Sequence, residues 1–144
     1  MIDKEQIRDL IRVTLTQHGL YSESALDLVY GTIGHESLMG TYIKQKPKGK
    51  FDYSVHGLGI AQMEHKTFCW LCDKYGEQYN FTKKEFLRLE YDLKFSILLC
   101  RLRYLAVPEP LPTTLSGLAH YYKKYYNTKY GSATEKDFID IFNT

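Results

Sequence analysis

Apolar residues recur at helical spacing in the first quarter of the chain. Between Lys4 and His18 they fall on one face of a helix, and Gly19 follows as a terminator. Ser22 or Ser24 caps a second predicted helix. The apolar positions of the two helices are Ile7, Leu10, Ile11, Thr14 and Leu15, then Leu26, Val29, Tyr30 and Ile33. We predict two consecutive amphipathic helices.

The pattern changes between Met39 and Leu58. Glycine and proline interrupt this stretch, and Phe51, Tyr53 and Val55 alternate with polar residues. Alternation with a period of two is typical of a strand with one buried face. We therefore predict a loop containing a short β-hairpin as an insert between helices.

Helical periodicity returns from Glu64 onward. One apolar stripe ends at Gly76, and a capping box of Thr82 and Glu85 begins a long predicted helix that reaches Tyr104. Two more helices are predicted after the proline-rich connector 108–112, one starting at Thr114 and one capped by Thr134 and Asp137. We predict one mainly α-helical domain over residues 1–144.

Composition and charge restrict the function classes. The 144 residues are 44% hydrophobic and 25% charged, as in a globular protein. The formal charge of +2 gives no indication of a nucleic-acid partner, and no apolar run is long enough to span a membrane. The polar N-terminus lacks the pattern of a signal peptide, so we expect synthesis in the cytoplasm. Three cysteines, an odd number, argue against a complete disulfide framework.

Glu36 is the strongest candidate for a catalytic residue. It falls about 60° from Ile33 at the end of the second predicted helix, on the edge of the apolar stripe. Partial burial and the negative end of the helix dipole would both raise the pKa of this carboxyl. A glycosidase needs such a protonated acid to protonate the departing glycosidic oxygen. The alternative is an exposed glutamate at a frayed helix end.

Four short motifs in a fixed order resemble one enzyme superfamily. They are Gly34-His35-Glu36-Ser37, Gly57-Leu58-Gly59-Ile60-Ala61-Gln62-Met63-Glu64, Tyr104-Leu105 and Ala119-His120-Tyr121-Tyr122. This arrangement resembles the soluble lytic transglycosylase and goose-type lysozyme superfamily, and most of all its small phage-encoded members. The resemblance covers about residues 26–127.

The resemblance implies a lysozyme-like fold and cleavage of the β-1,4 bond between N-acetylmuramic acid and N-acetylglucosamine in peptidoglycan. It assigns Glu36 as the general acid and base. By the same resemblance Ser37 supports the site, and the substrate-binding residues are Ser37, Gln62, Met63, Tyr121 and Tyr122. The sequence departs from the family pattern in three ways. The turn before Gln62 is longer than usual, Tyr122 occupies the position of the expected asparagine, and the asparagine usual in the long helix is missing near Ser96 and Ile97.

Asp52 is the candidate for a second carboxylate. A second acid would favour hydrolysis, as in hen-type lysozyme, whereas one glutamate alone would give a transglycosylase and an anhydro sugar. The alternative for Asp52 is a solvated turn residue. We expect the enzyme to reach the wall through a holin-made lesion or as part of a virion. The alternative function is an inactive, lysozyme-like structural protein that contacts other virion proteins.

Two further features have more than one interpretation. One zinc-binding arrangement is conceivable, with Cys69, Cys72, His65 and Cys100 as its four ligands. Cys72 and Cys100, however, fit the apolar stripes of predicted helices. We therefore expect the cysteines to lie in the core, and we expect neither a metal nor a cofactor. The basic residues Lys44, Lys46, Lys48 and Lys50 form either a solvated loop or an attraction site for anionic wall polymer.

Overall fold

The computed structural model describes residues 1–127 and 133–144. Within these residues the chain forms six α-helices and one 3₁₀ helix and has no strand. None of these helices has the length and apolar character needed to cross a membrane. The elements, in chain order, are α1 (Lys4–Gln17), α2 (Glu23–Glu36), α3 (His65–Tyr79), the 3₁₀ helix (Lys83–Glu90), α4 (Leu93–Leu105), α5 (Leu115–Tyr125) and α6 (Glu135–Phe142).

Helix α2 lies at the centre of the structure. Nearly every residue from Ala25 to Gly34 is buried, because α1, α4, α5 and α6 all pack against this helix. Its start follows the sequence prediction, since the Ser22 hydroxyl accepts a hydrogen bond from the N–H of Ala25 at 3.0 Å. A helix buried on all sides carries apolar residues around its whole circumference. Glu36, its last residue, is therefore held by the core.

Two core clusters share helix α4. The first cluster is built on α1, α2, α5 and α6 and receives Ile97, Cys100 and Tyr104 from α4. The second is built on α3 and the 3₁₀ helix and receives Phe95, Leu98, Leu99 and Leu102. Because α4 buries opposite faces in the two clusters, it fixes one cluster against the other.

Two glycines allow α6 to approach α2 closely. A Cβ atom built at Gly31 would lie 2.3 Å from the Phe138 ring, and one at Gly34 would lie 2.5 Å from Cγ2 of Ile141. Those distances are far below van der Waals contact, so a larger residue could fit only if α6 moved. The glycines thus place α6 beside the end of α2 that carries Glu36.

The predicted end of α3 is wrong. The helix continues through the buried Gly76 to Tyr79, and Asn80 ends it in the left-handed conformation with φ 61°. Asparagine is one of the few residues other than glycine that adopts this conformation at a helix C-terminus.

The predicted long helix from Thr82 to Tyr104 is also wrong, because it is interrupted after Glu90. Its start is as predicted, since Glu85 accepts a hydrogen bond from the N–H of Thr82 at 3.1 Å. The carboxylate of Asp92 then caps a new helix by accepting the N–H of Phe95 at 3.0 Å. The first segment adopts 3₁₀ geometry.

The predicted β-hairpin insert is not present in the structure. The stretch contains turns and two isolated bridges, Lys44 to Leu58 and Leu58 to Met63. No residue from 41 to 56 is buried. Phe51 is half-buried against the second core cluster, but Tyr53 and Val55 are exposed, so the alternating residues do not share one buried face. We call residues 41–56 the insert.

Candidate active site around Glu36

The Glu36 side chain is largely buried but keeps 16% of its surface exposed. Its Oε2 accepts a hydrogen bond from the hydroxyl of Tyr122 and another from Nδ2 of Asn127 at 3.1 Å. Tyr122 lies on α5 and Asn127 follows that helix. Among the described residues, both hydrogen bonds to this carboxylate fall on Oε2.

His35 extends this network by one residue. Its Nδ1 lies 2.8 Å from the Tyr122 hydroxyl and 3.8 Å from Oε2 of Glu36. The single hydroxyl proton of Tyr122 is directed at Glu36, so the tyrosine oxygen accepts from Nδ1–H of His35. The result is a chain of donors from His35 through Tyr122 to Glu36, in which each bond polarises the next.

The pKa of Glu36 lies below its ordinary value of 4.5, contrary to the sequence prediction. Burial is the largest influence and would raise this pKa. The nearby His35, whose Nδ1 lies 3.8 Å from Oε2, and the hydrogen bonds from Tyr122 and Asn127 outweigh burial. The same arrangement raises the pKa of Tyr122, first by burial and then by the neighbouring Glu36 charge. The free protein therefore holds an ionised Glu36 beside a neutral tyrosine.

A strained turn directly follows Glu36. Leu38 and Met39 adopt left-handed backbone conformations with φ of 49° and 56°, which are uncommon for residues with a side chain. The buried Ser37 stabilises this turn, because its hydroxyl donates to Ile33 O at 3.0 Å and accepts from the N–H of Gly40 at 2.9 Å. Ser37 thus supports the site through the backbone, and its burial argues against the predicted contact with substrate.

The turn 57–63 packs between the two core clusters. Ile60 and Ala61 belong to the first cluster, and Leu58 and Met63 belong to the second. The hydroxyl of Tyr126 donates to Ala61 O at 2.6 Å, which fastens this turn to the end of α5. The turn is therefore joined to the helix that also supplies Tyr122.

Gln62 holds the turn to the insert. Its Nε2 donates to Tyr42 O at 3.1 Å and to Gly59 O at 2.9 Å, and its own φ is 53°. Gly59 is required beside it, because its φ is 83° and a Cβ there would lie 2.3 Å from Leu89 O. Gln62 is half-buried, and the side-chain amide that was predicted to contact a sugar is bonded within the protein.

The structure does not expose three of the other predicted substrate-binding residues. Met63, Tyr121 and Tyr122 are 1%, 3% and 0% exposed, which is incompatible with direct sugar contact in this conformation. Met63 packs in the second core cluster, and the Tyr121 hydroxyl donates to Glu109 O at 2.9 Å. Tyr122 does reach the site, but as a hydrogen-bond donor to Glu36.

Asp52 is exposed and is bonded within the insert. Its Oδ1 accepts from the N–H and the hydroxyl of Ser54 at 2.9 and 2.6 Å, and these bonds lower the pKa of Asp52. Its backbone carbonyl also accepts the N–H groups of Val55 and His56. This geometry is that of a turn-forming aspartate.

Sequence reasoning missed Asn127. The resemblance places an asparagine directly after Tyr121, where Tyr122 stands instead. In the structure the side-chain amide that reaches Glu36 belongs to Asn127, which lies just beyond α5 and five residues after Tyr122. Tyr126-Asn127 is an aromatic residue followed by asparagine, the pattern that the family resemblance leads one to expect. This pair was the feature of the sequence that could have identified Asn127 as a site residue.

The structure does not bring together the four residues that could form a zinc site, Cys69, Cys72, His65 and Cys100. Cys100 lies in the first core cluster, and Cys72 packs against the second. Within residues 1–127 and 133–144, no group of three or more His, Cys, Asp or Glu side chains is arranged to hold a metal ion. Burial raises the pKa of Cys100 to about 12 and that of Cys72 to about 11, so both thiols are protonated at neutral pH.

Comparisons of the chain with protein-family models, with curated proteins and with solved structures found no match. The class that the structure defines is a mainly α-helical protein. A more specific assignment depends on the motifs of the sequence and on the chemistry of the Glu36 site.

Proposed function

We propose that the protein is a peptidoglycan-cleaving enzyme of the lytic transglycosylase or lysozyme type, encoded by a phage, with Glu36 as its general acid and base. The observation that carries the proposal is the Glu36 carboxylate, which is largely buried, keeps 16% of its side chain exposed and has Oε2 fixed by two donors. A fixed, partly exposed carboxylate can exchange a proton with a bound molecule in a defined geometry.

The proposed reaction uses one carboxyl group twice. Glu36 first donates a proton from Oε1 to the glycosidic oxygen, and the bond from that oxygen to C1 of the muramic residue breaks. The resulting carboxylate then accepts the proton of the C6 hydroxyl while O6 bonds to C1, which gives a 1,6-anhydro end. If water takes the place of O6, the product is a reducing end. The turn geometry of Asp52 favours the version with a single carboxylate.

The lowered pKa of Glu36 sets a condition on this reaction. Because the pKa of Glu36 lies below its ordinary value, the carboxyl group is almost entirely ionised at pH 7 and lacks the proton that the reaction requires. We expect substrate binding to exclude water from the exposed edge of Glu36 and so to raise this pKa. In the free protein, catalytic competence rises toward acidic pH.

The direct test is digestion of purified peptidoglycan, with products identified by mass spectrometry. Glu36→Gln keeps the shape of the side chain and removes its titratable proton, so we expect a loss of about 10²–10⁴-fold in the release of muropeptides. Glu77→Gln makes the same chemical change at an exposed position on α3 and should leave the rate unchanged. Anhydro ends would identify a transglycosylase, and reducing ends a hydrolase.

A second candidate is a virion or prophage structural protein that keeps this scaffold without turnover. The observation in its favour is the same network, because a carboxylate kept ionised by the nearby His35 and by hydrogen bonds from Tyr122 and Asn127 can act as a structural link between α2 and α5. Failure of the wild-type protein to release products from several wall types between pH 4 and 7 would favour this candidate. Release that survives Glu36→Gln would contradict the proposed role of Glu36.

A further inference from the structure

The basic charge of the protein is concentrated in one segment. The insert, residues 41–56, carries four lysines, at positions 44, 46, 48 and 50, and one acidic residue, Asp52, a net charge of +3. The whole chain carries only +2, so all of the sequence outside the insert has a net charge of −1. An anionic partner is therefore attracted to this segment and weakly repelled by the remainder of the molecule.

These lysines lie on the exposed insert. All four are exposed, and no residue from 41 to 56 is buried. Lys44 pairs with Glu90 at 3.2 Å and lies over the rings of Phe51 and Tyr53. Lys46 lies over the Tyr42 ring at 5.3 Å. Two of the four ammonium groups therefore lie over aromatic rings, and that of Lys44 is also paired with the 3₁₀ helix.

The choice of lysine over arginine in the insert indicates which kind of anion it would bind. All four are lysines, and no arginine occurs in the insert. An ammonium group is a point charge without the planar fork that recognises a carboxylate bidentately. The four lysines are spread over seven residues of an exposed segment that forms neither helix nor strand and bends at residues 48–50. Several separate point charges of this kind suit a polymer with repeated single charges better than one compact ligand.

The insert also adjoins the Glu36 site. It begins at residue 41, directly after the turn that follows Glu36, and the N–H of Tyr42 donates to Ser37 O at 3.1 Å. Gln62 in turn donates to the carbonyl of Tyr42 at 3.1 Å. A polymer held on the insert would therefore be kept close to the site of cleavage, which raises the local concentration of attached glycan.

We propose that the insert binds a phosphodiester polymer attached to the bacterial wall. The choice of a wall polymer as the partner rests on the proposed function, whereas the concentration of positive charge does not. The expected role is retention of the protein on the wall, separate from the chemical step at Glu36.

The test measures binding without cleavage. Sacculi that carry a phosphodiester polymer, and the same sacculi stripped by hydrofluoric acid, are incubated with the full chain carrying Glu36→Gln, and the bound fraction is measured by sedimentation. We expect affinity at least roughly tenfold higher for the unstripped sacculi, decreasing as salt increases. Cleavage plays no part in this readout, so its result does not depend on the role of Glu36.

Matched variants assign the binding to the insert. Lys46→Gln, Lys48→Gln and Lys50→Gln together leave the Lys44–Glu90 pair intact and should reduce affinity for unstripped sacculi by roughly tenfold or more. Lys66→Gln, Lys74→Gln and Lys84→Gln together remove the same charge from exposed positions of α3 and the 3₁₀ helix and should reduce it far less.

Three results would overturn the proposal. One is equal binding to stripped and unstripped sacculi, and another is an equal loss in both triple variants. The third is equal affinity for duplex DNA or for vesicles of anionic phospholipid, which would mean that the insert recognises negative charge of any kind. If the wild-type protein releases no muropeptides but binds unstripped sacculi as expected, the proposed enzymatic function is contradicted and the binding role of the insert is not.

Discussion

The hydroxyl of Tyr122 donates a hydrogen bond to Oε2 of Glu36, joining α5 to the end of α2 across 86 positions of sequence. Tyr122 is fully buried, so its side chain cannot move aside without disturbing the first core cluster. Among the described residues, Glu36 thus has one oxygen held by a rigid donor, and the hydrogen bonds to its carboxylate fall on that oxygen. This relationship makes the carboxylate both a structural link and a candidate catalytic group.

Removal of this hydroxyl should change the pH dependence of activity. Tyr122 lowers the pKa of Glu36, so Tyr122→Phe should raise that pKa and increase the protonated fraction at a given pH. We expect the descending limb of kcat/KM to move to higher pH while the maximal rate falls by about tenfold, because the carboxylate is held less firmly. The measurement is kcat/KM on soluble glycan strands from pH 3 to 8. An unchanged limb would mean that Tyr122 does not control Glu36.

The same substitution should destabilise the protein. Phenylalanine leaves a buried site without its hydroxyl and removes a donor from an ionised carboxylate, a loss of about 1–3 kcal/mol in the free energy of unfolding. Tyr91→Phe removes a hydroxyl from a residue that is 76% exposed and should change the free energy by less than about 0.5 kcal/mol. Urea unfolding at pH 7 gives both values. Equal effects in the two variants would contradict the buried network.

Glu36 should also make stability depend on pH. Its pKa in the folded protein is lower than the ordinary value of 4.5, so ionised Glu36 stabilises the fold above pH 4.5. That contribution is lost as pH falls through the folded pKa. Glu36→Gln does not titrate, so the difference in unfolding free energy between wild type and variant should be greatest above pH 4.5 and shrink below it. Other carboxyl groups with lowered pKa, such as Asp92, titrate in both proteins and cancel in this difference.

Measurements at pH 7, 5, 4 and 3 test this linkage. A difference that stays constant over this range would mean that the pKa of Glu36 is the same in the folded and unfolded chains, which would contradict the network of donors around it.

Asp52→Asn separates the two possible mechanisms. Asparagine retains the Oδ1 acceptor for Ser54 and removes the charge, so the turn should persist. If Asp52 only forms this turn, the rate of muropeptide release should change by less than about threefold, and the product ends should stay the same. A loss of about 10²-fold or more would establish Asp52 as a second catalytic carboxylate and favour hydrolysis.

Local signals in the sequence predicted much of the helical framework. Ser22 and Thr114 cap their helices through side-chain hydrogen bonds, because these caps depend only on residues within a few positions. The break before Asp92 was missed because Leu89 and Leu93 continue one apolar stripe on both sides of it. Periodicity reports burial and does not report a change from 3₁₀ to α geometry.

The candidate site was predicted less completely than the helices. Glu36 could be selected from its position at a helix end, but the sign of its pKa shift depends on donors from α5 that no local pattern reveals. Asn127 lies 91 positions from Glu36, and its contact exists only once α2 and α5 pack together. Long-range packing of this kind decides the chemistry of the site.

The contact between Gly31 and Phe138 provides a test of the packing that positions Glu36. Gly31→Ala would place a methyl group 2.3 Å from the Phe138 ring, so α6 would have to shift away from α2. We expect a loss of about 1–3 kcal/mol in the free energy of unfolding, since this overpacking outweighs the gain in helix propensity. Gly49→Ala is the matched control, because a methyl group there has no heavy atom within 4 Å and should change the free energy by less than about 0.5 kcal/mol. Denaturant unfolding of both variants measures the contrast, and a Gly31→Ala protein as stable as wild type would show that α6 does not pack tightly on α2.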